Sequence, residues 1–278
     1  MGNGIEARSF KIPTFQLAVP IRHRQESVQE YAAEEVVNAI HFIEEQTGEK
    51  FDWDAFFKSM KRFNAETEEF LEWMEISKTD YPQVMGVTLA LYRYGVYQAA
   101  GGRNQAFLDM DKKLTKMALD AYKSKEMAAK EYRHRAMTWG VQAAYYTALP
   151  IWLLNCWGVV TIADMLSMVS TEMVNTEDKH QAMLDLAYLY ENMIMRNRSN
   201  GGYETGVEAL WRFCEMFNID IVIMYVHMGC KSMSGYHGLF EEEARKHGIH
   251  LIWVTHNLMC PEAVSYTHLR AHETCADL

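Results

Sequence analysis

The feature that most constrains this chain is the run 220-DIVIMYV-226, followed without a break by 227-HMGCKSMSGY-236. A strand with one solvated face alternates apolar and polar residues. This run is apolar from Ile221 through Val226, as a strand buried on both faces of a parallel sheet should be. Such a sheet carries helices on both sides and is built from crossover connections, so the second half of the chain is expected to be α/β.

The flanking segments agree. RHRAMTWGV at 133–141 reads as a strand, 149–156 as a helix and VVTIAD at 159–164 as a second strand, which makes one β-α-β step. Helices over 178–195 and 203–217 precede the apolar run; a helix over 239–247 and a strand over 249–254 follow it. The expected architecture over 131–264 is a doubly wound, Rossmann-like parallel sheet that binds ligands just beyond the carboxyl ends of its strands.

Residues 1–130 read as an edge strand plus a helical middle region. KIPTFQLAV at 11–19 looks like a short strand that Pro13 restricts to an edge. Val28, Ala32, Val36, Ala39, Ile40 and Ile43 recur at spacings of three and four, predicting a helix over 25–47 that Gly48 ends. Asp52 can cap a second helix whose buried face carries Phe56, Phe57, Met60, Phe63, Phe70 and Met74. Two more helices, over 82–98 and 104–130, are expected on either side of a break at Gly101–Gly102.

Charge and cysteine usage exclude several functions. Asp plus Glu number 37 against 27 for Lys plus Arg, a formal charge of −10, which would repel a nucleic acid unless positive charge were gathered on one face. The most apolar stretch, 145–160, is interrupted by Pro150, Asn155 and Gly158 and is too short to cross a bilayer. No secretory signal is readable at the N-terminus, so neither nucleic acid nor membrane is an expected partner, and the cytoplasm is the expected location. The cysteines at 156, 214, 230, 260 and 275 lack paired spacing, which argues for reduced thiols.

Chemistry is expected at 227–236, directly after the apolar strand. Gly229 and Gly235 permit turns, and Cys230 beside Lys231 is placed to be a reactive or metal-binding sulfur, the alternative being a small buried thiol. His227 and His237 flank it, but a single H-x2-C is a poor zinc pattern. Cys156 and Cys214 fall among apolar helical residues and are expected to pack, as are the tryptophans. No phosphate loop, Ser-His-Asp set or H-E-x-x-H motif is present.

With these residues in view, the chain resembles the α-type subunit of the 2-hydroxyacyl-CoA dehydratase family, relatives of benzoyl-CoA reductase. IPTFQLAVP at 12–20 is similar to the family's I-P-x-x-x-x-D-x-P strand, and IEEQTGEKFDWDAF at 43–56 to its helix end and helix start. MTWG at 137–140 resembles the start of its last domain. The most specific piece is GCKSMSGY at 229–236, followed by GIHLIWVTHNLMCP at 248–261.

The resemblance implies a lyase that converts an (R)-2-hydroxyacyl-CoA to a 2-enoyl-CoA through a ketyl radical, after one-electron activation by an ATP-dependent iron–sulfur activator protein. It implies a β-type partner subunit, an acyl-CoA substrate and a [4Fe-4S] cluster held by three thiolates. Cys230 occupies the family's metal-ligand position in the last domain, and Lys231, Ser234 and Tyr236 would line the substrate pocket near it. A benzoyl-CoA reductase-like subunit and a non-catalytic iron–sulfur electron-transfer or assembly module are the alternatives. The family's other two ligands lie in a domain expected ahead of Ile12, and no cysteine precedes Cys156. This chain by itself is therefore expected neither to bind the cluster nor to catalyse dehydration. Cys260 stands where relatives tend to carry an acidic residue before proline. Residues 265–278 resemble translated adapter sequence and are read as a non-native tail, His268, His272 and Cys275 included.

Overall fold

The computed structural model describes residues 11–18, 26–83, 104–127, 131–143, 148–166, 172–192 and 203–260. The helix expected over 82–98 lies almost wholly outside them, and the break at 101–102 and the tail from 265 lie wholly outside.

Helix α1 spans Glu26–Thr47 and ends at Gly48 (φ 75°), a left-handed position that glycine adopts without steric cost. Helix α2 spans Trp53–Lys78. Its N-cap is Asp52, whose carboxylate accepts from the Ala55 N–H at 2.9 Å, satisfying one of the orphan donors of the first turn. Asn104 caps α3, Gln105–Lys123, in the same way through the Ala106 N–H. This helix stops short of the expected residue 130 because Lys125 turns left-handed (φ 54°) and the Lys125 and Glu126 amides fold back onto the Tyr122 and Ala121 carbonyls.

The expected strand at 11–19 is not formed over its described residues. Residues 12–18 pair with no described strand. Ile12 and Leu17 are exposed, while Phe15 packs on α1 with its ring 5.6 Å from that of Phe42, and the Ala18 N–H is donated to Glu35 Oε2 at 3.0 Å.

The sheet is formed by β1 (His134–Trp139), β2 (Val159–Asp164), β3 (Ile221–His227) and β4 (His250–His256), all parallel, in the order β2-β1-β3-β4. The α/β expectation holds. Between β1 and β2 lie α4 (Leu149–Trp152) and one π-helical turn (Leu153–Trp157) that Gly158 closes. Helices α5 (Lys179–Glu191, capped by Asp178) and α6 (Tyr203–Met216) precede β3. A one-turn helix α7 (Lys231–Gly235) and helix α8 (His237–His247) connect β3 to β4.

One face of the sheet packs on the largest core, in which Met137, Trp139, Val222 and Met224 meet Leu210, Phe213 and Phe217 of the α6 segment, Phe240 of α8, and Phe70 and Met74 of α2. A second core joins Ala32 and Ala33 of α1 to Ala182, Met183 and Ala187 of α5, with Phe56 and Phe57 of α2 against it. The helical layer thus draws on both halves of the chain. Arg135 at the foot of β1 ties that layer to the sheet: its guanidinium donates to the Ser77 carbonyl (2.7 Å), the Thr79 carbonyl (3.0 Å) and the Phe217 carbonyl (2.8 Å). Two of these are carbonyls at the end of α2 that the helix itself leaves without partners.

At the other end of β1, Gly140 (φ 100°) lies against β3. A Cβ there would stand 2.2 Å from the Tyr225 carbonyl oxygen, which is backbone and cannot yield. Gly140→Ala is expected to cost about 3 kcal/mol or more, from overpacking and backbone strain together. Urea unfolding measures it, and a loss below about 1 kcal/mol, within the range of ordinary surface substitutions, would show that the exit from β1 does not lie against β3.

Candidate functional site

The strand order places the site. From β1 the chain moves outward to β2, then returns to the opposite side of β1 to lay down β3 and β4. The carboxyl ends of β1 and β3 are therefore the topological switch point, where the departing connections separate and leave a crevice. Trp139 and Gly140 stand at the end of β1 and the 227–230 loop at the end of β3.

The loop leaving β3 is a tight turn. The Cys230 N–H donates to the His227 carbonyl at 2.8 Å, and the Met228 N–H to the His256 carbonyl at 2.9 Å. Cys230 is half-buried as the N-cap residue of α7, with its side chain against the main core. Its carbonyl accepts from both the backbone N–H and the hydroxyl of Ser234, each at 3.2 Å. Ser234 is exposed and its hydroxyl is spent on this local bond. Lys231 is exposed at the first position of α7, and Tyr236 is half-buried at the junction of α7 and α8. All four residues singled out in the sequence lie on this one loop and short helix.

The remaining cysteines lie elsewhere. Cys214 is buried in the main core, where burial pushes its thiol up to about 12; it stays protonated and inert. Cys156, expected to pack, is exposed on the π-helical turn, and Trp152 and Trp157 beside it are half exposed with their rings paired edge to face. Their apolar character marks a surface ridge rather than a core. Cys260 is exposed, its N–H donated to Asn257 Oδ1. Among the described residues, no three His, Cys, Asp or Glu side chains gather closely enough to hold a metal ion. His237, the other histidine flanking Cys230, lies with its ring 4.0 Å from that of Trp253.

Sequence reasoning passed over His256. Opposite His227 in the β3–β4 pairing, it is fully buried, with its ring 5.8 Å from Tyr225 and 6.1 Å from His227. Neither ring nitrogen makes a hydrogen bond of good geometry among the described residues, though the backbones of Asn257 and Val141 lie close enough to favour its charged form. Burial, and then the nearby His227, hold its pKa below the ordinary 6.5, opposed by the backbones of Asn257 and Val141. The residue is a neutral imidazole at neutral pH. No local signal in WVTHN marks this histidine as buried, because the β1 exit loop that covers it is more than a hundred residues away.

A doubly wound α/β protein with a half-buried cysteine at its switch point is the class this arrangement defines. Residues 4–257 match the model of the 2-hydroxyglutaryl-CoA dehydratase D-component family. The chain belongs to that family, a component of a dehydratase complex. No curated protein matches the chain. No described helix is long and apolar enough to cross a membrane.

The depressed pKa of His256 has a consequence for stability. The unfolded chain takes up a proton on this residue near 6.5 while the folded chain resists it, so its contribution is complete above that pH and is lost as pH falls toward the lower folded value. Between pH 7 and 5 the urea midpoint of the unsubstituted protein is expected to fall more steeply than that of His256→Leu. Parallel curves would show that His256 titrates normally.

Proposed function

We propose that this chain is an iron–sulfur subunit, or part of one, of a 2-hydroxyacyl-CoA dehydratase, removing water from an (R)-2-hydroxyacyl-CoA to give the 2-enoyl-CoA. The observation that carries the reading is the family match over residues 4–257; GCKSMSGY, the piece read as most like the family, directly follows the carboxyl end of β3, where a doubly wound fold binds ligands. In this reading the proton lost from the β-carbon, not ordinarily acidic, becomes so after an ATP-dependent iron–sulfur activator protein supplies one electron and the thioester becomes a ketyl radical. A β-type subunit completes the complex.

The chain's own residues set a limit on the [4Fe-4S] cluster that the family implies. Such a cluster is held by several thiolates. Here one half-buried thiol lies at the switch point, packed against the main core, Cys214 is locked in the core, Cys156 and Cys260 are exposed elsewhere, and no three ligating side chains gather among the described residues. The described residues do not fit the whole cluster; they fit a contribution of one ligand, Cys230. Lys231 and Tyr236 lie near enough in sequence and fold to border a substrate beside it. Ser234 acts first on the loop itself, by holding the Cys230 carbonyl.

The test uses the complete dehydratase, purified without oxygen together with its β-type partner and activator. Cys230→Ala is expected to lose iron, acid-labile sulfide and turnover together. Unchanged iron content would overturn the ligand assignment. With iron intact, failure of the unsubstituted complex to dehydrate any member of a panel of 2-hydroxyacyl-CoA thioesters would overturn the reaction.

A further inference from the structure

Gly229 has no left-handed φ, so backbone conformation does not account for a glycine there. A Cβ at this position would stand 3.1 Å from Cε1 and 3.2 Å from Nδ1 of His227. The imidazole is folded back over the second residue beyond its own, into the space that a side chain at 229 would take. In that position His227 Nδ1 accepts the Gly229 N–H at 3.1 Å. A ring nitrogen that accepts carries no proton, so the proton of the neutral ring is on Nε2. The bond runs from side chain i to amide i+2, the pattern that asparagine and aspartate form in an Asx turn; here a histidine forms it. The His227 carbonyl takes the next amide, that of Cys230, at 2.8 Å. One residue therefore holds two successive amides of the turn that presents the thiol.

His256 is fully buried edge-on to the His227 ring, with the backbones of Val141, just past β1, and Asn257 acting on it. The turn is therefore backed by a buried neighbour at the switch point.

We propose that His227 is a positioning residue for Cys230: the acceptor nitrogen of its ring, not the bulk of the ring, closes the 227–230 turn and sets where the thiol stands. The functional meaning of this rests on Cys230 being a ligand, but its physical content does not. The geometry makes Gly229 and His227 one unit, the first left without a side chain so that the ring of the second can reach its amide. With the turn closed, the Cys230 side chain is held half-buried against the main core.

Two substitutions separate acceptor from bulk. His227→Asn keeps an acceptor able to reach the Gly229 amide, and His227→Phe keeps a ring without one. The readout on the full chain is the rate at which iodoacetamide modifies Cys230, measured by mass spectrometry against the exposed Cys156 and Cys260 as references within the same molecule. Hydrogen exchange of the Gly229 amide is followed in parallel. In His227→Phe the thiol is expected to react about threefold faster or more, the lower range for loss of one net hydrogen bond, with faster exchange at Gly229. His227→Asn is expected to stay within about twofold of the unsubstituted chain on the same basis. A His227→Phe rate equal to that of the unsubstituted chain, or a His227→Asn rate closer to that of His227→Phe, would overturn the proposal. Should His227→Phe not fold, His227→Leu replaces it, because it removes the acceptor that holds the Gly229 amide and should release Cys230 in the same direction; an unchanged rate there would also overturn the proposal. Iron content of the Cys230→Ala complex reports on the ligand assignment alone, so the two readings fail separately.

Discussion

The pairing of β1 with β3 is the interaction on which the rest of the structure depends. These strands lie far apart in the chain, run parallel and are almost wholly buried. A parallel pair requires a long crossover, and here the chain first visits β2 on the far side before returning. That detour creates the switch point, and the switch point creates the crevice. Gly140 is the local mark of the same constraint, since only a residue without Cβ lets the β1 exit lie against the Tyr225 carbonyl.

Much of this was legible in the residues. The continuous apolar run at 221–226 announced a central strand, VVTIAD coincides with β2 from end to end, and the carboxylate of Asp52 caps the helix that it was expected to start. These signals are local, and local chemistry decides them. The segment at 11–18 misled because Phe15 and Ala18 meet α1 rather than a sheet while Ile12 and Leu17 stay exposed, and apolar residues alone do not name their neighbour. Cys156, Trp152 and Trp157 look like core by type yet line a surface, since composition does not say which side of a short helix faces out.

The candidate site divides along the same line. Cys230 was singled out because it follows a recognisable strand, and Lys231, Ser234 and Tyr236 because GCKSMSGY resembles the family. His256 and the covering backbone near Val141 come from opposite ends of the α/β region, and their meeting is a product of topology alone. The role of Ser234 is likewise visible only in three dimensions, where its hydroxyl turns toward the Cys230 carbonyl rather than outward. Family membership and geometry thus supply different things: one names the chemistry, the other shows how a single thiol is held.

The packing of α5 onto α1 bears on how the chain is made. On a ribosome, α1 and α2 emerge early, with Ala32, Ala33, Phe56 and Phe57 displayed toward a partner that has not yet been synthesised. Some 130 residues separate the end of α1 from the start of α5, which at common translation speeds is a wait of roughly ten seconds. Throughout that interval the nascent helices carry an uncovered apolar face, and until Arg135 is added the carbonyls at the end of α2 lack the guanidinium that later binds them. The nascent chain is therefore exposed to aggregation from the synthesis of α1 and α2 until α5 covers them.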